Sequence, residues 1–362
     1  MTIPRSPKDI TPEWLGSVLG TEVGAVDVVA IGTGQTGATY RVTASYPAAT
    51  RSPQPPATFA VKLPAQDDEV RERVALGYVS EVEFYSALTG QVAIPVPGCF
   101  HSEISSDGKD FVLVLADMAP AEQGDQIAGC SPAEAELAVE ALAGLHGPSW
   151  NARQFFDLPS IVMPKPGDEA AAKGMGDIAV MAADITLDKL GASISEQDRD
   201  TLLTSMGLVT EWLMAVPDRF SLMHGDYRLD NLLYDPDRTR VTVVDWQTIG
   251  LGLPSRDLAY FTATSLQPDA RAEVERGLVE RYHAALLRHG VTGYDIETCW
   301  HDYRLGVLQA PLLVVLGTAF ASSTERGDEM MLTMLHRGCR AIRELESIDL
   351  VRSYQASSPT TA

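Results

Sequence analysis

The sequence predicts an α+β fold with two lobes of unequal size, a small β-rich N-terminal lobe and a larger helical C-terminal lobe. At 362 residues the chain is longer than the size at which one hydrophobic core usually stops growing. Apolar runs with the pattern of strands are concentrated near the N-terminus, and apolar residues at helical spacing follow over most of the remainder. The expected organisation is an N-terminal lobe at 1–115, a hinge at 116–120, a helical C-terminal lobe at 121–352 and a flexible tail at 353–362.

The N-terminal strands enclose a glycine-rich loop. A β-rich run leads into Gly32-Thr33-Gly34-Gln35-Thr36-Gly37, and an alternating strand pattern follows. Dinucleotide-binding folds place a helix directly after such a loop, so the strand after Gly37 argues against a Rossmann oxidoreductase. Glycines such as Gly34 and Gly37 allow backbone amides to approach phosphate groups, although an ordinary hairpin turn has the same pattern. The predicted strands are 26–31, 40–44, 58–63 and 111–115, and a charged helix is predicted at 68–88.

The C-terminal part is predicted to be mainly helical with one β-hairpin. Ser131-Pro132-Ala133-Glu134 combines a capping box with proline at the first helical position, and apolar residues keep one face as far as His146. Because His146 lies at the glycine-terminated end of this helix, we interpret it as structural. The later predicted elements are helices at 198–216 and within 267–339, and a hairpin with strands at 232–234 and 241–245.

Acidic residues dominate the charge of the chain. The 28 lysines and arginines are outnumbered by 49 aspartates and glutamates, which gives a net charge of −21. A field of that sign repels nucleic acids and anionic membrane surfaces, so neither is expected as a partner. We interpret the excess charge as a solubilising surface, and a polyanionic ligand would need a local cluster of hydrogen-bond donors.

Neither a disulfide framework nor a transmembrane segment is expected. The four cysteines are far apart in the sequence and form no Cys-x-x-Cys pair. Residues 1–9 lack the apolar core of a signal peptide, and the longest apolar stretch, at 310–321, is only about a dozen residues, too short to span a bilayer. A cytoplasmic location is therefore expected. The cysteines are Cys99, Cys130, Cys299 and Cys339.

The strongest chemical signal is the segment His224-Gly225-Asp226-Tyr227-Arg228-Leu229-Asp230-Asn231, followed by Asp245 at the end of the predicted hairpin. Phosphoryl transfer requires an oriented hydroxyl, an in-line phosphate and cations that neutralise developing charge. Asp226 is suited to hold the hydroxyl as the base. Asn231 and Asp245 supply the oxygen ligands that Mg²⁺ prefers. The pattern therefore predicts a phosphotransferase in which Asp226 is catalytic and Asn231 and Asp245 bind the metal.

These segments resemble the aminoglycoside phosphotransferase and choline kinase superfamily, in which the catalytic segment commonly reads His-Gly-Asp-x-x-x-x-Asn and a later Asp binds magnesium. The resemblance extends from about residue 26 to residue 345 and is most specific at 224–245. It implies a bilobal protein-kinase-like fold, ATP as the phosphate donor with Mg²⁺, and a hydroxyl group of a small molecule as the acceptor. Within the superfamily, the sequence is most similar to bacterial phosphotransferases of unassigned substrate.

The resemblance also implies roles in nucleotide binding. Lys62, on an apolar strand, occupies the position of the phosphate-binding lysine on the third strand of the kinase-like fold. Its carboxylate partner is expected on the next helix, where Glu81 is preferred over Glu83 because Glu81 shares a helical face with aromatic residues. Ala116 and Met118 correspond to the hinge, whose backbone groups bind the purine edge. Gly34 and Gly37 would belong to the flap over the phosphates.

Three residues near the motif have two interpretations each. Arg228 lies where related kinases often place a cation near the transferred phosphate, and the alternative is a surface arginine or a partner for Asp230. Asp257 matches an aspartate that supports the catalytic loop, and the alternative is a carboxylate at the start of a helix. His224 is expected to pack and hydrogen-bond the loop rather than to transfer a proton.

One alternative to a kinase is a non-catalytic protein that binds a nucleotide or metabolite on the same scaffold. The presence together of Lys62, Asp226, Asn231 and Asp245 argues against it, because loss of catalysis usually removes one member of such a set. The expected partners are a nucleotide and a small hydroxylated acceptor. The sequence leaves open the identity of the acceptor, including whether antibiotics are substrates, the choice between ATP and GTP, and the oligomeric state.

Overall fold

The computed structural model describes residues 2–31, 37–47, 55–161 and 163–357, which form two compact units. The sheet unit comprises Met1–Gln91, Val96–Ala121 and Val244–Thr248, and the helical unit comprises Val92–Pro95, Glu122–Val243 and Ile249–Ala362. Two short segments therefore belong to a different unit from their neighbours in sequence. The α+β fold class predicted from the sequence is confirmed, with a β-sheet in the N-terminal part and a helical C-terminal part.

Five antiparallel strands form the frame of the sheet unit: β1 (Ala25–Ile31), β2 (Gly37–Ser45), β3 (Thr58–Pro64), β4 (Cys99–Ile104) and β5 (Phe111–Ala116). Their order is β1-β2-β3-β5-β4, so β3 lies in the middle of the sheet. Phe59, Val61 and Leu63 of β3 are buried. Because successive side chains of a strand point to opposite faces, this alternation turns Lys62 to the other face of the sheet.

Two helices belong to the sheet unit, α1 (Pro12–Leu19) and α2 (Asp68–Glu83). Leu15 of α1 packs into the same buried cluster as Val42 and Val61 of the sheet. Asp67 caps α2, because its side chain accepts a hydrogen bond from the Val70 N–H. The helix continues as a π-helical turn over Phe84–Leu88, which agrees with the predicted helix at 68–88.

The helical unit contains two small sheets in addition to its helices. Its strands are β6 (Glu122–Gln123), β7 (Ser221–Met223), β8 (Leu232–Tyr234), β9 (Val241–Val243) and β10 (Gly250–Gly252). Strand β8 pairs with β6 and β9, which includes the predicted hairpin, and β7 pairs with β10. Its helices are α3 (Pro132–His146), α4 (Glu169–Leu190), α5 (Glu196–Met206), α6 (Val209–Met214), α7 (Ser255–Ser265), α8 (Pro268–Arg288), α9 (Ile296–Gly306), α10 (Gln309–Phe320), α11 (Glu325–Glu344) and α12 (Ser347–Ser357).

Two predicted elements differ from the structure. The helix expected over 198–216 is divided into α5 and α6, because the chain leaves the helix at Gly207 and Leu208. The tail expected from residue 353 begins with residues that continue α12 as far as Ser357. Within this stretch, the ring of Tyr354 contacts the ring of His301 with 5.9 Å between the centroids.

One helical stretch, Ile296–Phe320, is long and apolar enough to cross a membrane by length and composition alone. This stretch includes both α9 and α10, so it is longer than the apolar stretch at 310–321 that the sequence analysis considered. Of its most apolar window, 67% is buried inside the protein. Core helices of globular proteins pass the same test, so the stretch is weak evidence for a membrane span.

Helix α7 is held against α9 at close range. The Ser255 hydroxyl donates a hydrogen bond to the backbone oxygen of Asp302 at 2.7 Å. At Gly306 of α9, a Cβ atom would lie 2.5 Å from the Ser255 backbone oxygen. Only glycine allows this approach without a shift of the helices, so Gly306 fixes the position at which α7 begins.

Replacing Gly306 by Ala is expected to lower the free energy of unfolding by about 1–3 kcal/mol, because the added methyl group overpacks the contact between α7 and α9. Gly277 on the exposed face of α8 provides a matched control, since no described atom lies within 4 Å of the corresponding Cβ position. Gly277→Ala is expected to raise stability by about 0.5–1 kcal/mol through helix propensity. Urea unfolding of both variants measures these opposite signs, and a stabilising effect at Gly306 would contradict the packing argument.

Candidate active site

The loop at 224–231, here called the catalytic loop, follows β7 and is held by one buried carboxylate. Asp257, in the first turn of α7, accepts hydrogen bonds from the backbone N–H groups of His224 at 2.6 Å and Gly225 at 3.1 Å. Gly225 has a φ of 82°, in the region that favours glycine. Asp257 is therefore both a helix-start residue and a support of the loop, which combines its two predicted interpretations.

Two buried histidines complete this support. The ring Nδ1 of His224 accepts a hydrogen bond from the Asp226 N–H at 3.3 Å. The ring of His146 lies between Asp257 and Tyr282, with Nε2 at 3.4 Å from the Asp257 Oδ2 and Nδ1 at 2.7 Å from the Tyr282 hydroxyl. Burial lowers the pKa of His146, although the Asp257 carboxylate opposes this shift. The geometry of both rings fits the structural role expected from the sequence.

Three side chains donate hydrogen bonds to the carboxylate of Asp226. Arg228 Nε lies 3.0 Å from Oδ1 and 2.9 Å from Oδ2. The Tyr260 hydroxyl donates to Oδ1 at 2.8 Å, and Asn231 Nδ2 donates to Oδ2 at 3.1 Å. These donors fix the orientation of the carboxylate, as expected of a base that must meet a substrate hydroxyl at hydrogen-bond distance.

Arg228 connects Asp226 to a second carboxylate. One guanidinium nitrogen, Nη1, contacts Asp230 Oδ2 at 3.0 Å and the Met330 sulfur at 2.9 Å. Although burial opposes its charged form, the Asp226 carboxylate and its neighbours raise the pKa of Arg228 above that of a free arginine. The predicted pairing with Asp230 is thus present, and contact with a transferred phosphate stays a prediction.

The side chain of Asn231 is oriented by its own loop. Its Nδ2 donates to the backbone oxygen of Asp226 at 2.8 Å as well as to the Asp226 carboxylate. These two donations leave the amide oxygen as the end that a ligand can use. An oriented amide oxygen is a donor of the class that Mg²⁺ prefers, so Asn231 fits the predicted ligand role.

In the sheet unit, Lys62 lies between two carboxylates. Its Nζ is 2.5 Å from Glu81 Oε1 and 3.3 Å from Asp245 Oδ1, and Glu83 is not its partner in the described part of the unit. Burial lowers the pKa of Lys62, but the charges of Asp245 and Glu81 outweigh burial and raise it above the ordinary value. Gln247 donates to the second oxygen of Glu81 at 3.3 Å, which holds that carboxylate on the lysine.

Asp245 is placed by an aromatic stack and by an uncommon backbone conformation. The ring of the next residue, Trp246, stacks on Phe84 with 3.6 Å between centroids and 6° between planes. Asp245 itself has a φ of 67°, which non-glycine residues adopt rarely and mostly at turns and functional sites. Its carboxylate is 37% exposed, so its hard oxygen atoms are accessible to a cation.

The remaining predicted nucleotide-binding residues are backbone positions. Gly37 begins β2 opposite Pro64, and Gly34 lies outside the described residues. At the hinge, the Ala116 N–H donates to the Gly98 oxygen at 2.8 Å. Over the ranges that the structure describes, no group accepts a hydrogen bond from the Met118 N–H. Within those ranges a ligand could bind that N–H without breaking a hydrogen bond, and the nucleotide role of these positions stays a prediction.

Sequence reasoning missed the side chains that orient the site from other elements. Tyr260 reaches Asp226 from α7, and Gln247 reaches Glu81 from the segment after the hairpin. Gln126 is fully buried and accepts a hydrogen bond from the Leu229 N–H of the catalytic loop at 2.8 Å. The position of Tyr260, one helical turn after Asp257, was the available signal, because residues three apart share a helix face.

Comparison with known families decides the assignment. A family model described as the phosphotransferase enzyme family matches residues 27–294, which is most of the chain. The chain belongs to this phosphotransferase family. The match agrees with the resemblance seen in the sequence and supports a small-molecule phosphotransferase as the coarse function.

Solved structures of other proteins have the same fold as this chain at low sequence identity. Choline kinase from Cryptosporidium parvum superposes with a TM-score of 0.55 at 12% identity, covering 91% of this chain and 92% of that chain. The GDP complex of aminoglycoside 2'-phosphotransferase-IIIa gives a TM-score of 0.53 at 16% identity, covering 86% of this chain and 92% of that chain. These likenesses confirm the predicted protein-kinase-like fold.

The curated relatives that this chain matches include proteins much longer than the chain itself. The human protein named acyl-CoA dehydrogenase family member 11 is 28% identical over 193 residues, which cover 51% of this chain and 22% of that protein. The chicken protein of the same name is 26% identical over 201 residues, covering 53% of this chain and 23% of that protein. The chain thus matches less than a quarter of the length of these relatives.

The buried His146 makes stability depend on pH. Because its folded-state pKa is lowered, the unfolded state binds a proton that the folded state does not, once the pH falls below the unfolded value of about 6.5. Below that pH the free energy of unfolding is expected to decrease by up to about 1.4 kcal/mol per pH unit. Urea unfolding between about pH 8 and pH 5 should give a shallower decline for His146→Gln than for the native chain. Equal slopes would exclude His146 as a source of the dependence.

Proposed function

We propose that the protein transfers the γ-phosphate of ATP to a hydroxyl group of a small molecule. The observation that carries this proposal is the Asp226 carboxylate, which is accessible in part and is held by Arg228, Tyr260 and Asn231. A carboxylate oriented by fixed donors is suited to accept the proton of an alcohol during phosphoryl transfer.

The proposed step uses Asp226 as the base. The acceptor hydroxyl donates a hydrogen bond to the carboxylate, and its oxygen forms a bond to the γ-phosphorus. The bond between that phosphorus and the oxygen bridging to the β-phosphate breaks, and ADP carries away the electron pair. The hydroxyl proton passes to Asp226. Charge is conserved, and no oxidant or reductant is needed.

The donor nucleotide is assigned to the cations and backbone groups described above. Lys62, held by Glu81, would contact the phosphates, and the Met118 N–H would bind the purine edge. Asn231 and Asp245 would hold Mg²⁺, which when bound neutralises charge on the phosphates. Each of these residues has the donor chemistry that its role requires. GTP is the alternative donor, since one of the structural neighbours is a GDP complex.

The acceptor can be sought with a panel of compounds of the classes that the names of the similar proteins indicate. The structural neighbours include choline, ethanolamine and aminoglycoside kinases, and the curated relatives carry the name of an acyl-CoA dehydrogenase family. Amino alcohols, aminoglycosides and hydroxylated acyl-CoA thioesters are therefore the three classes to test with ATP and with GTP. Acceptor-dependent release of ADP or GDP identifies the pair. Binding of nucleotide with no turnover on a wider hydroxyl library would favour the non-catalytic alternative.

Replacing Asp226 by Asn is expected to reduce phosphorylation by at least about a hundredfold, because the amide cannot accept the hydroxyl proton. Nucleotide affinity and the melting temperature should stay close to those of the native chain. Asp237→Asn, on the exposed turn of the hairpin, is the matched control and should keep full turnover. Normal turnover of the Asp226 variant would remove this residue as the base.

Replacing Asp245 by Ala is expected to weaken nucleotide binding in Mg²⁺ by about tenfold, equivalent to about 1.4 kcal/mol, and to leave binding in chelator nearly unchanged. The variant removes a carboxylate that we assign to the metal while Lys62 keeps Glu81 as a partner. Asp27→Ala removes an exposed carboxylate from β1 of the same unit and controls for net charge. Calorimetric titration measures both affinities, and an undiminished Mg²⁺ effect would contradict the ligand assignment.

A further inference from the structure

Helix α7 presents two side chains to the catalytic loop from the same face. Asp257 accepts the backbone N–H groups of the loop, and Tyr260, one turn later, donates its hydroxyl to Asp226 Oδ1 at 2.8 Å. The Tyr260 side chain is 1% exposed and belongs to a helix that is buried along its whole length. The backbone of the loop and its carboxylate are therefore oriented by one rigid element.

Three side chains donate hydrogen bonds to the Asp226 carboxylate. One of them, Arg228, is shared between the two carboxylate oxygens, and the other two each bind a single oxygen. A carboxylate has about four lone-pair sites, two on each oxygen. Tyr260 takes a site on Oδ1 and Asn231 takes a site on Oδ2, whereas Arg228 Nε lies at similar distances from both oxygens. Because the Arg228 Nε–H carries one proton, three donated protons meet about four sites, and a site on the partly exposed carboxylate remains for a substrate hydroxyl.

Arg228 is the least confined of the three donors. Its side chain is long, 20% exposed and attached to the loop itself, and its other contacts are with the Asp230 carboxylate and the Met330 sulfur. Tyr260 has a buried ring with only two side-chain torsions and no exposed path. Asn231 is held a second time by its bond to the Asp226 backbone oxygen.

We propose that Tyr260 is a positioning residue for phosphoryl transfer, which rests on the function proposed above. Its hydroxyl holds Asp226 Oδ1 in place, so that the carboxylate keeps its plane and offers its remaining site to the acceptor hydroxyl. Nothing else in the described part of the helical unit donates to Oδ1 except Arg228. Loss of the phenol would leave that oxygen without a fixed donor during the reaction.

The phenol is suited to this task at any pH at which the protein works. Burial, and then the charge of Asp226, raise the pKa of Tyr260 well above its ordinary value. It therefore stays protonated and remains a hydrogen-bond donor. Because the phenol is neutral, it does not offset the negative charge of Asp226. A second arginine at the same position would offset that charge.

The test is the steady-state kinetics of Tyr260→Phe. We expect kcat to fall about ten- to a hundredfold, the usual effect of removing a hydrogen bond to a charged group, while KM for the nucleotide is unchanged. A residue that only stabilised the fold would not reduce kcat selectively in this way. Full native kcat in Tyr260→Phe would overturn the proposal.

A matched control comes from another buried tyrosine of the helical unit. The Tyr303 hydroxyl donates to Glu275 Oε2 at 2.8 Å, and its side chain is as buried as that of Tyr260. Tyr303→Phe removes a hydroxyl bonded to a carboxylate away from the catalytic loop, so it should keep native kcat below its melting temperature. An equal loss of kcat in both variants would also overturn the positioning role.

A second measurement avoids any dependence on the stability of the phenylalanine variant. With 3-fluorotyrosine at position 260 the native hydrogen bond is kept, and its fluorine resonance is expected to move when Asp226 is replaced by Asn and not when Asp237 is. An unmoved resonance would overturn the contact on which the proposal depends. Absence of turnover by the native chain with ATP and with GTP on every acceptor would instead overturn the proposed function and leave the resonance shift in place, so the two failures can be told apart.

Discussion

The catalytic loop depends on the buried carboxylate of Asp257. Backbone N–H groups that are withdrawn from water need an acceptor, and in this loop the N–H groups of His224 and Gly225 both find it on the two oxygens of one side chain. Asp257 is in turn fixed by the start of α7, whose distance from α9 is limited by Gly306. Tertiary packing between helices thus sets the backbone geometry of the loop before any ligand binds.

Each of the two cations that the sequence analysis singled out is held between a pair of carboxylates. Lys62 contacts Glu81 and Asp245 in the sheet unit, and Arg228 contacts Asp226 and Asp230 in the helical unit. In a chain with a net charge of −21, this arrangement gives each cation one defined position. In the proposed function, a phosphate would meet an ordered donor and incur little further loss of conformational entropy. The same carboxylates would compete with the phosphate, which would favour polyanions that bring their own divalent cation.

Local signals in the sequence predicted the phosphotransferase family and the pairing of Lys62 with Glu81, and contacts that depend on tertiary packing were missed. The preference for Glu81 over Glu83 followed from one helical face, and the structure places Glu81 on Lys62. The spacing of Tyr260 from Asp257 was the only sequence signal for it, and that spacing could not reveal the contact with Asp226, which exists only once α7 packs on the loop. The end of α12 was also missed, since residues 353–357 have a polar composition typical of a tail and are ordered as a helix beside the ring contact between Tyr354 and His301.

In the proposed function, chemistry and acceptor selection would be carried by different parts of the helical unit. Asp226 and its donors would treat any hydroxyl alike, because phosphoryl transfer asks the protein mainly for position and charge. Selection would then come from segments that approach the loop without belonging to its motif, as α11 does. Arg326 of α11 contacts Asp230, and Met330 contacts Arg228. Changes in α11 could therefore move Arg228 and reshape the surroundings of Asp226 with the motif intact, so the motif alone does not specify the acceptor.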